Sequence, residues 1–184
     1  QNRAIEFSLF LAIPSTIAIF ILAEPIISAF FERGEFNLND RILSAKALQA
    51  FAIGIPAYVL VKILTPIFFA RQNTVTPVKI AIFCVFINFF LNIILMYFYQ
   101  HVGIAIATAI ASWVNCLLLL YLLLRNREIV FDKVIKEKFK KLILINIFFG
   151  LLIFYSMKYI NIFSIYKFLN LSIFVFLSFF IYIL

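Results

Sequence analysis

Apolar residues run along this chain in blocks too long to be one face of an amphipathic helix. Six stretches, roughly 4–31, 42–70, 75–98, 102–125, 140–160 and 165–184, each reach the length of about 20 mostly apolar residues that a helix needs to cross a bilayer. In hydrocarbon every backbone N–H and C=O must be satisfied inside its own segment, so helix is the expected conformation of each block. The pattern predicts an all-α polytopic bundle of six spans. Residues 1–127 supply four of them, 128–139 a basic loop, and 140–184 the last two. The polar breaks are mostly short, which predicts that consecutive spans pack as antiparallel neighbours. The first two blocks are longer than a bilayer requires, so polar ends such as Arg41 to Gln49, with Lys46, are expected to project or lie at the interface.

Composition agrees with lipid as the solvent. Hydrophobic residues make up 66% of the 184 positions and charged residues 13%, far more apolar than a soluble domain of this size could bury. The net charge of +8 is concentrated in one connection, where Arg125, Arg127, Lys133, Lys136, Lys138, Lys140 and Lys141 face only Glu128, Asp132 and Glu137. Membrane topology accounts for that surplus, and no nucleic-acid partner is expected. Basic loops are retained in the cytoplasm, so Arg3, the turn from Arg71 to Lys79 and this connection are assigned to the cytoplasmic side, with both chain ends. Cys84 and Cys116 lie inside apolar blocks without a CxxC or a paired histidine, and read as core residues. Because the sequence opens on Gln1 rather than Met, it reads as a segment of a longer protein.

Polar residues within the blocks are the candidates for function. Lys62 lies nine residues before Arg71, about 13 Å along a helix, hence near the middle of the bilayer, where an unpaired lysine costs on the order of 3 kcal/mol. Gly54, Tyr58, Lys62 and Thr65 fall at helical spacing, which predicts that Lys62 points into protein or a wet cavity, as a structural ion pair or as a substrate contact. Glu24 precedes Pro25, whose missing N–H predicts a freed carbonyl and a kink, with Glu24 supporting the kink or coupling an ion. Pro14, Pro56 and Pro66 also fall inside spans, as membrane helices tolerate. Cys84, Asn88 and Asn92 form one stripe, and Thr108, Ser112 and Asn115 another, which antiparallel packing would allow to hydrogen-bond. Ala105, Ala107, Ala109, Ala111 and Ser112 would let the fourth helix approach its neighbours closely. His101 lacks partners for metal binding or proton relay, and no catalytic motif, metal or cofactor site is apparent. The last two spans, crowded with Phe, Ile, Leu and Tyr, suit a lipid-facing surface.

Three stretches in this order resemble the MurJ/MviN family. They are Ala23-Glu24-Pro25-Ile26-Ile27 followed by Phe31-Glu32-Arg33-Gly34-Glu35-Phe36; Pro56-Ala57-Tyr58-Val59-Leu60-Val61-Lys62-Ile63-Leu64-Thr65-Pro66; and Phe69-Ala70-Arg71-Gln72-Asn73-Thr74-Val75-Thr76-Pro77-Val78-Lys79. Gly103 to Thr108 with Ser112-Trp113-Val114-Asn115 adds a weaker fourth, so the likeness covers about residues 1–127. The resemblance implies a multi-pass transporter of the bacterial cytoplasmic membrane that flips lipid II, the undecaprenyl-linked peptidoglycan precursor, by alternating access between two lobes. It also implies that these six spans are helices nine to fourteen, completed by upstream helices of the same protein, with membrane lipids as its surroundings.

Carried over residue by residue, the resemblance makes Lys62 and Arg71 basic residues of the second lobe, Thr76, Pro77 and Lys79 its cytoplasmic turn, and Glu24 a residue near the outer gate. The Phe-rich and Ile-rich spans from 140 to 184 would shape a groove for the prenyl tail. A substrate with a pyrophosphate explains why buried cations are wanted, since anions need charged partners in hydrocarbon. Competing readings are a polysaccharide flippase of the same superfamily, a membrane-embedded transferase and a non-transporting scaffold. The Glu32 to Phe36 and Arg71 to Lys79 stretches argue against the first, the lack of an acidic or histidine cluster against the second, and Lys62 with four intramembrane prolines against the third.

Overall fold

A computed structural model describes residues 2–129 and 133–160. It contains α1 (Asn2–Phe31), α2 (Leu38–Phe69), α3 (Val75–Tyr99), α4 (His101–Arg125) and α5 (Lys133–Ile160). The first four are long and apolar enough to cross a membrane; the block 165–184 lies outside the described residues. The described residues are all-helical apart from their connections, as expected, and the basic connection is shorter than 128–139, because helix resumes at Lys133.

Local chemistry sets the helix boundaries. Asn37 caps α2: its Oδ1 accepts from the backbone N–H of Asn39 at 2.9 Å and Asp40 at 3.1 Å, while the Asn37 N–H donates to Asp40 Oδ2 at 3.1 Å. This reciprocal cap starts α2 four residues before the apolar block, so the polar stretch from Arg41 is helix. Both α2 and α4 end in the same way. The N–H groups of Gln72 and Asn73 donate back to Phe69 and Phe68, and those of Arg127 and Glu128 to Leu124 and Leu123. Gln72 and Arg127 take the left-handed conformation, with φ of 57° and 54°, that such a closure requires. Pro77 falls in the first turn of α3, where a missing N–H is harmless.

The helices pack in the order α5, α1, α2, α4, α3. Consecutive antiparallel pairing therefore holds for α1 with α2 and for α3 with α4, but α2 and α3 barely touch, and α4 does not follow α5 as a neighbour. The parallel helix α4 lies against α2 instead. The physical reason is the row of small residues on α4, because without a hydrophobic drive between lipid-bathed helices the closest-fitting surfaces associate. Gly103, Ala105, Ala107, Ala109 and Ala111 are all buried. At 100° per residue they form two faces, Ala105 with Ala109 and Gly103 with Ala107 and Ala111. Gly54 of α2 meets the first face so closely that a Cβ added there would lie 3.3 Å from the Ala109 Cα. Gly103 abuts α3, and a Cβ there would lie 2.2 Å from the Leu95 carbonyl oxygen.

Two further contacts register the bundle. Trp113 Nε1 donates to the Ile53 carbonyl at 2.9 Å, tying α4 to α2 one turn before Pro56, and Gln49 Nε2 donates to the Phe20 carbonyl at 3.1 Å, tying α2 to α1. The main core gathers Leu64, Ile67, Phe68, Cys116, Leu119, Leu123 and Ile129 between α2 and α4. Cys84 and Cys116 are buried and unbridged, as expected of core residues. A smaller core joins Leu22 of α1 to Phe149 and Ile153 of α5, so one side of α5 is packed against α1.

Candidate functional site

The α1–α2 loop and the α3–α4 turn share one end of the bundle, the Glu32 end; the start of α1, the α2–α3 turn and the α4–α5 connection share the other, the Arg71 end. At the Glu32 end Arg41, in the second turn of α2, reaches across to α1. Its Nη2 lies 3.1 Å from Glu24 Oε1 and its Nη1 3.1 Å from Glu32 Oε1. Ser28, one turn from each carboxylate, donates to Glu32 Oε2. One guanidinium thus spans both limits of the segment beyond Pro25, with Ala23, Ile27 and Ala45 packed beneath it. Helix α1 runs through Pro14 and Pro25 without a break, and Glu24 directs its carboxylate to Arg41. The sequence places Glu24, Glu32 and Arg41 at one membrane side without pairing them. A signal for the pairing does exist in it: the Asn37 cap fixes where α2 starts, and hence that Arg41 returns alongside Glu24.

At the Arg71 end Arg71 Nε lies 3.5 Å from Glu128 Oε2. This contact brings the α2–α3 turn against the α4–α5 connection, two segments that the charge distribution assigns to one side. Asn73 Oδ1 accepts from the Thr76 N–H at 3.2 Å, holding the start of α3. Pro77 is buried beside that start, whereas Lys79 is exposed. Arg71, Thr76, Pro77 and Lys79 are therefore gathered at one end, and Glu24 at the opposite one. Glu128, the partner of Arg71, carries no mark in the sequence beyond being a loop charge.

Lys62 occupies neither end. It lies along α2 between them, exposed, and makes no ion pair with another described residue. The expected common face with Gly54 does not hold, because eight residues rotate a helix by about 80° beyond two full turns. Gly54 is buried against α4 with the Tyr58 ring packed on it, while Lys62 has turned further round the helix and is exposed. Pro66, four residues on, has no N–H for the Lys62 carbonyl. Lys62 therefore combines an exposed ammonium with a backbone carbonyl that Pro66 leaves without its usual helical donor.

The polar stripes of α3 and α4 do not bond to one another. Asn92 Nδ2 donates to Asn88 Oδ1 at 2.6 Å, Thr108 Oγ1 to the Ile104 carbonyl at 2.8 Å and Ser112 Oγ to the Thr108 carbonyl at 2.7 Å, all within their own helices. Short side chains find a carbonyl one turn back nearer than a partner across the seam. Asn92 and Asn115 each keep a buried amide oxygen without a hydrogen-bond donor among the described residues. No group of three or more His, Cys, Asp or Glu is placed to hold a metal ion among the described residues.

Comparison with known proteins gives this arrangement a context. The family described as lipid II flippase MurJ matches residues 1–174. A protein of Rickettsia prowazekii named "Probable lipid II flippase MurJ" is 48% identical over 115 residues, which is 62% of this chain and 23% of the relative. One of Rhizobium tropici with the same name is 40% identical over 132 residues, 72% of this chain and 25% of the relative. A solved structure titled "Lipid II flippase MurJ, inward closed conformation" superposes with a TM-score of 0.74 at 27% identity, covering 98% of this chain and 37% of that one. The chain spans about a quarter of the length of the curated relatives it matches.

Proposed function

The chain belongs to the lipid II flippase MurJ family, and from that premise we propose that it forms the C-terminal helices of a transporter that moves undecaprenyl-pyrophosphate-linked lipid II from the cytoplasmic to the periplasmic leaflet. The observation that carries this reading is the match over residues 1–174 together with the superposition on a solved lipid II flippase. The protein is then a transporter of the bacterial inner membrane, acting in peptidoglycan synthesis without catalysing a covalent step. The Arg71 end is cytoplasmic, because the basic residues gather there. The six spans are helices nine to fourteen of the whole, and the two from 140 to 184 shape a groove for the prenyl tail.

The roles of individual residues follow from chemistry. A pyrophosphate crossing hydrocarbon needs cations along its way, since a buried anion without partners is prohibitively costly. Lys62 is the cation that the described helices leave uncovered at membrane depth, and it meets either the head group or an anionic side chain of the upstream helices. Arg71 and Lys79 mark the cytoplasmic approach, with Thr76 and Pro77 fixing the turn between them. Glu24, held by Arg41, stands at the periplasmic gate.

The test is complementation in a bacterium depleted of its own lipid II flippase, using the full-length protein and scoring lysis and the exposure of lipid II on the outer leaflet. Rescue is expected; failure of a well-inserted protein would move the reading to a polysaccharide lipid of the same chemical class. The Lys62→Ala variant is expected to lower lipid II exposure at normal protein levels, and unchanged exposure and growth would remove Lys62 from the transport path.

A further inference from the structure

The seam between α2 and α4 has two unlike flanks. Both helices run from the Glu32 end to the Arg71 end, so seen from the Glu32 end each turns clockwise as the residue number rises. Gly54 of α2 faces α4, and Ala109 of α4 faces α2, where the two helices meet. From that crossing Ile53 lies about 100° anticlockwise on α2 and Trp113 about 40° clockwise on α4, which carries both to one flank. There the Trp113 indole N–H donates to the Ile53 carbonyl at 2.9 Å. Lys62 lies about 80° clockwise of Gly54 and Asn115 about 120° anticlockwise of Ala109, so both stand on the opposite flank.

Their depths match as well. Lys62 is eight residues beyond Gly54 and Asn115 six beyond Ala109, a difference of only about 3 Å along the helix axes. The Asn115 amide oxygen is buried without a hydrogen-bond donor among the described residues. The Lys62 ammonium is exposed and makes no ion pair with any of them. An acceptor and a charged donor thus share one side of one seam at one depth. Closely packed helices lie about 8 Å apart, a gap that the flexible stem of a lysine spans. Turning that stem toward α4, and the amide about its last torsion, joins the two groups without moving either backbone.

We infer that Asn115 is a positioning residue for Lys62: its amide oxygen accepts from the ammonium and holds the cation at the open flank of the α2–α4 seam. The inference rests on the reading of Lys62 as a contact of the transported lipid, and it names the group that keeps the cation in place. An amide suits this task better than a carboxylate. It satisfies one N–H of the ammonium and, being neutral, leaves the charge available to an anionic head group.

The test uses the full-length protein, scoring the rate of lipid II exposure in the flippase-depleted bacterium at matched protein levels and the thermal midpoint in detergent. N115L removes the acceptor and is expected to slow exposure about tenfold, the size of a lost hydrogen bond to a charged group. It is expected to lower the midpoint in the protein with Lys62 and to leave it unchanged in the K62A background. N115D keeps an oxygen in place but neutralises the cation, so the midpoint is expected to hold while exposure falls. Unaltered exposure in N115L or N115D would overturn the inference, and so would equal midpoint losses in both backgrounds, the result for an asparagine that serves shape or an upstream helix. Should N115L not accumulate, K62C/N115C in a C84A/C116A protein decides: a short bifunctional methanethiosulfonate is expected to link the two positions, and no link would overturn the pairing. Failure of the unaltered protein to expose lipid II would instead remove the transport reading, and with it the role of Asn115 in transport, while the midpoint cycle would still report whether the two side chains are paired.

Discussion

Helices α2 and α3 lie against the same neighbour, α4, yet they are held there in different ways. Helix α2 is enclosed by α1 on one side and α4 on the other. Its seam with α4 is made by Gly54 against Ala109, with the Trp113 hydrogen bond to Ile53 beside it. Helix α3 touches little besides α4 and turns an almost continuous surface of Ile82, Phe83, Phe86, Phe89, Phe90 and Ile93 outward. Its attachment begins at a turn so tight that Gly103 rests on the Leu95 carbonyl. Both are apolar helices, so hydropathy does not separate them. What separates them is where small residues occur, because in lipid close backbone approach is what distinguishes a protein neighbour from an acyl chain.

That contrast can be broken at its tightest point first. The Gly103→Ala substitution introduces a Cβ where backbone already stands, and is expected to cost roughly 3 kcal/mol, read as a lowered thermal midpoint of the full-length protein in detergent. A midpoint within error of the unaltered protein would show that the α3–α4 turn yields freely. The seam with α2 comes next. Gly54→Leu overfills the crossing at Ala109 and should cost about 2 kcal/mol in the same assay; if it does not, α2 and α4 do not keep this close register. The smallest effect is expected on the outward face of α3, where Phe86→Leu exchanges one lipid-facing side chain for another and should stay within about 0.5 kcal/mol. A loss like that at Gly54 would mean that protein, not lipid, covers Phe86.

Much of the candidate site is legible in the sequence. Lys62, Arg71, Thr76, Pro77 and Lys79 stand out there because charge and proline are rare in spans and each is costly. Their grouping is less legible. Gly54 and Lys62 look coaxial at four-residue spacing, and the drift of 3.6 residues per turn carries them onto different faces. The two polar stripes look complementary, yet the hydrogen bonds they make stay within their own helices and leave the Asn92 and Asn115 amide oxygens without a donor among the described residues. Glu24 looks like a companion of Pro25, and its carboxylate goes to Arg41 on the next helix.

The sequence by itself determined that the chain is a set of long apolar helices, which of its loops share one end of the bundle, and which family it belongs to, because hydropathy, loop charge and ordered motifs are properties of the chain read in one dimension. The tertiary structure alone decided that α4 stands between α2 and α3, that Arg41 joins two carboxylates and Arg71 a third, and that Lys62 faces outward from this group of helices. Those outcomes depend on the rotation of each helix about its own axis. In a membrane that rotation is set by which small residues let two backbones approach, a property of pairs of surfaces rather than of any one segment.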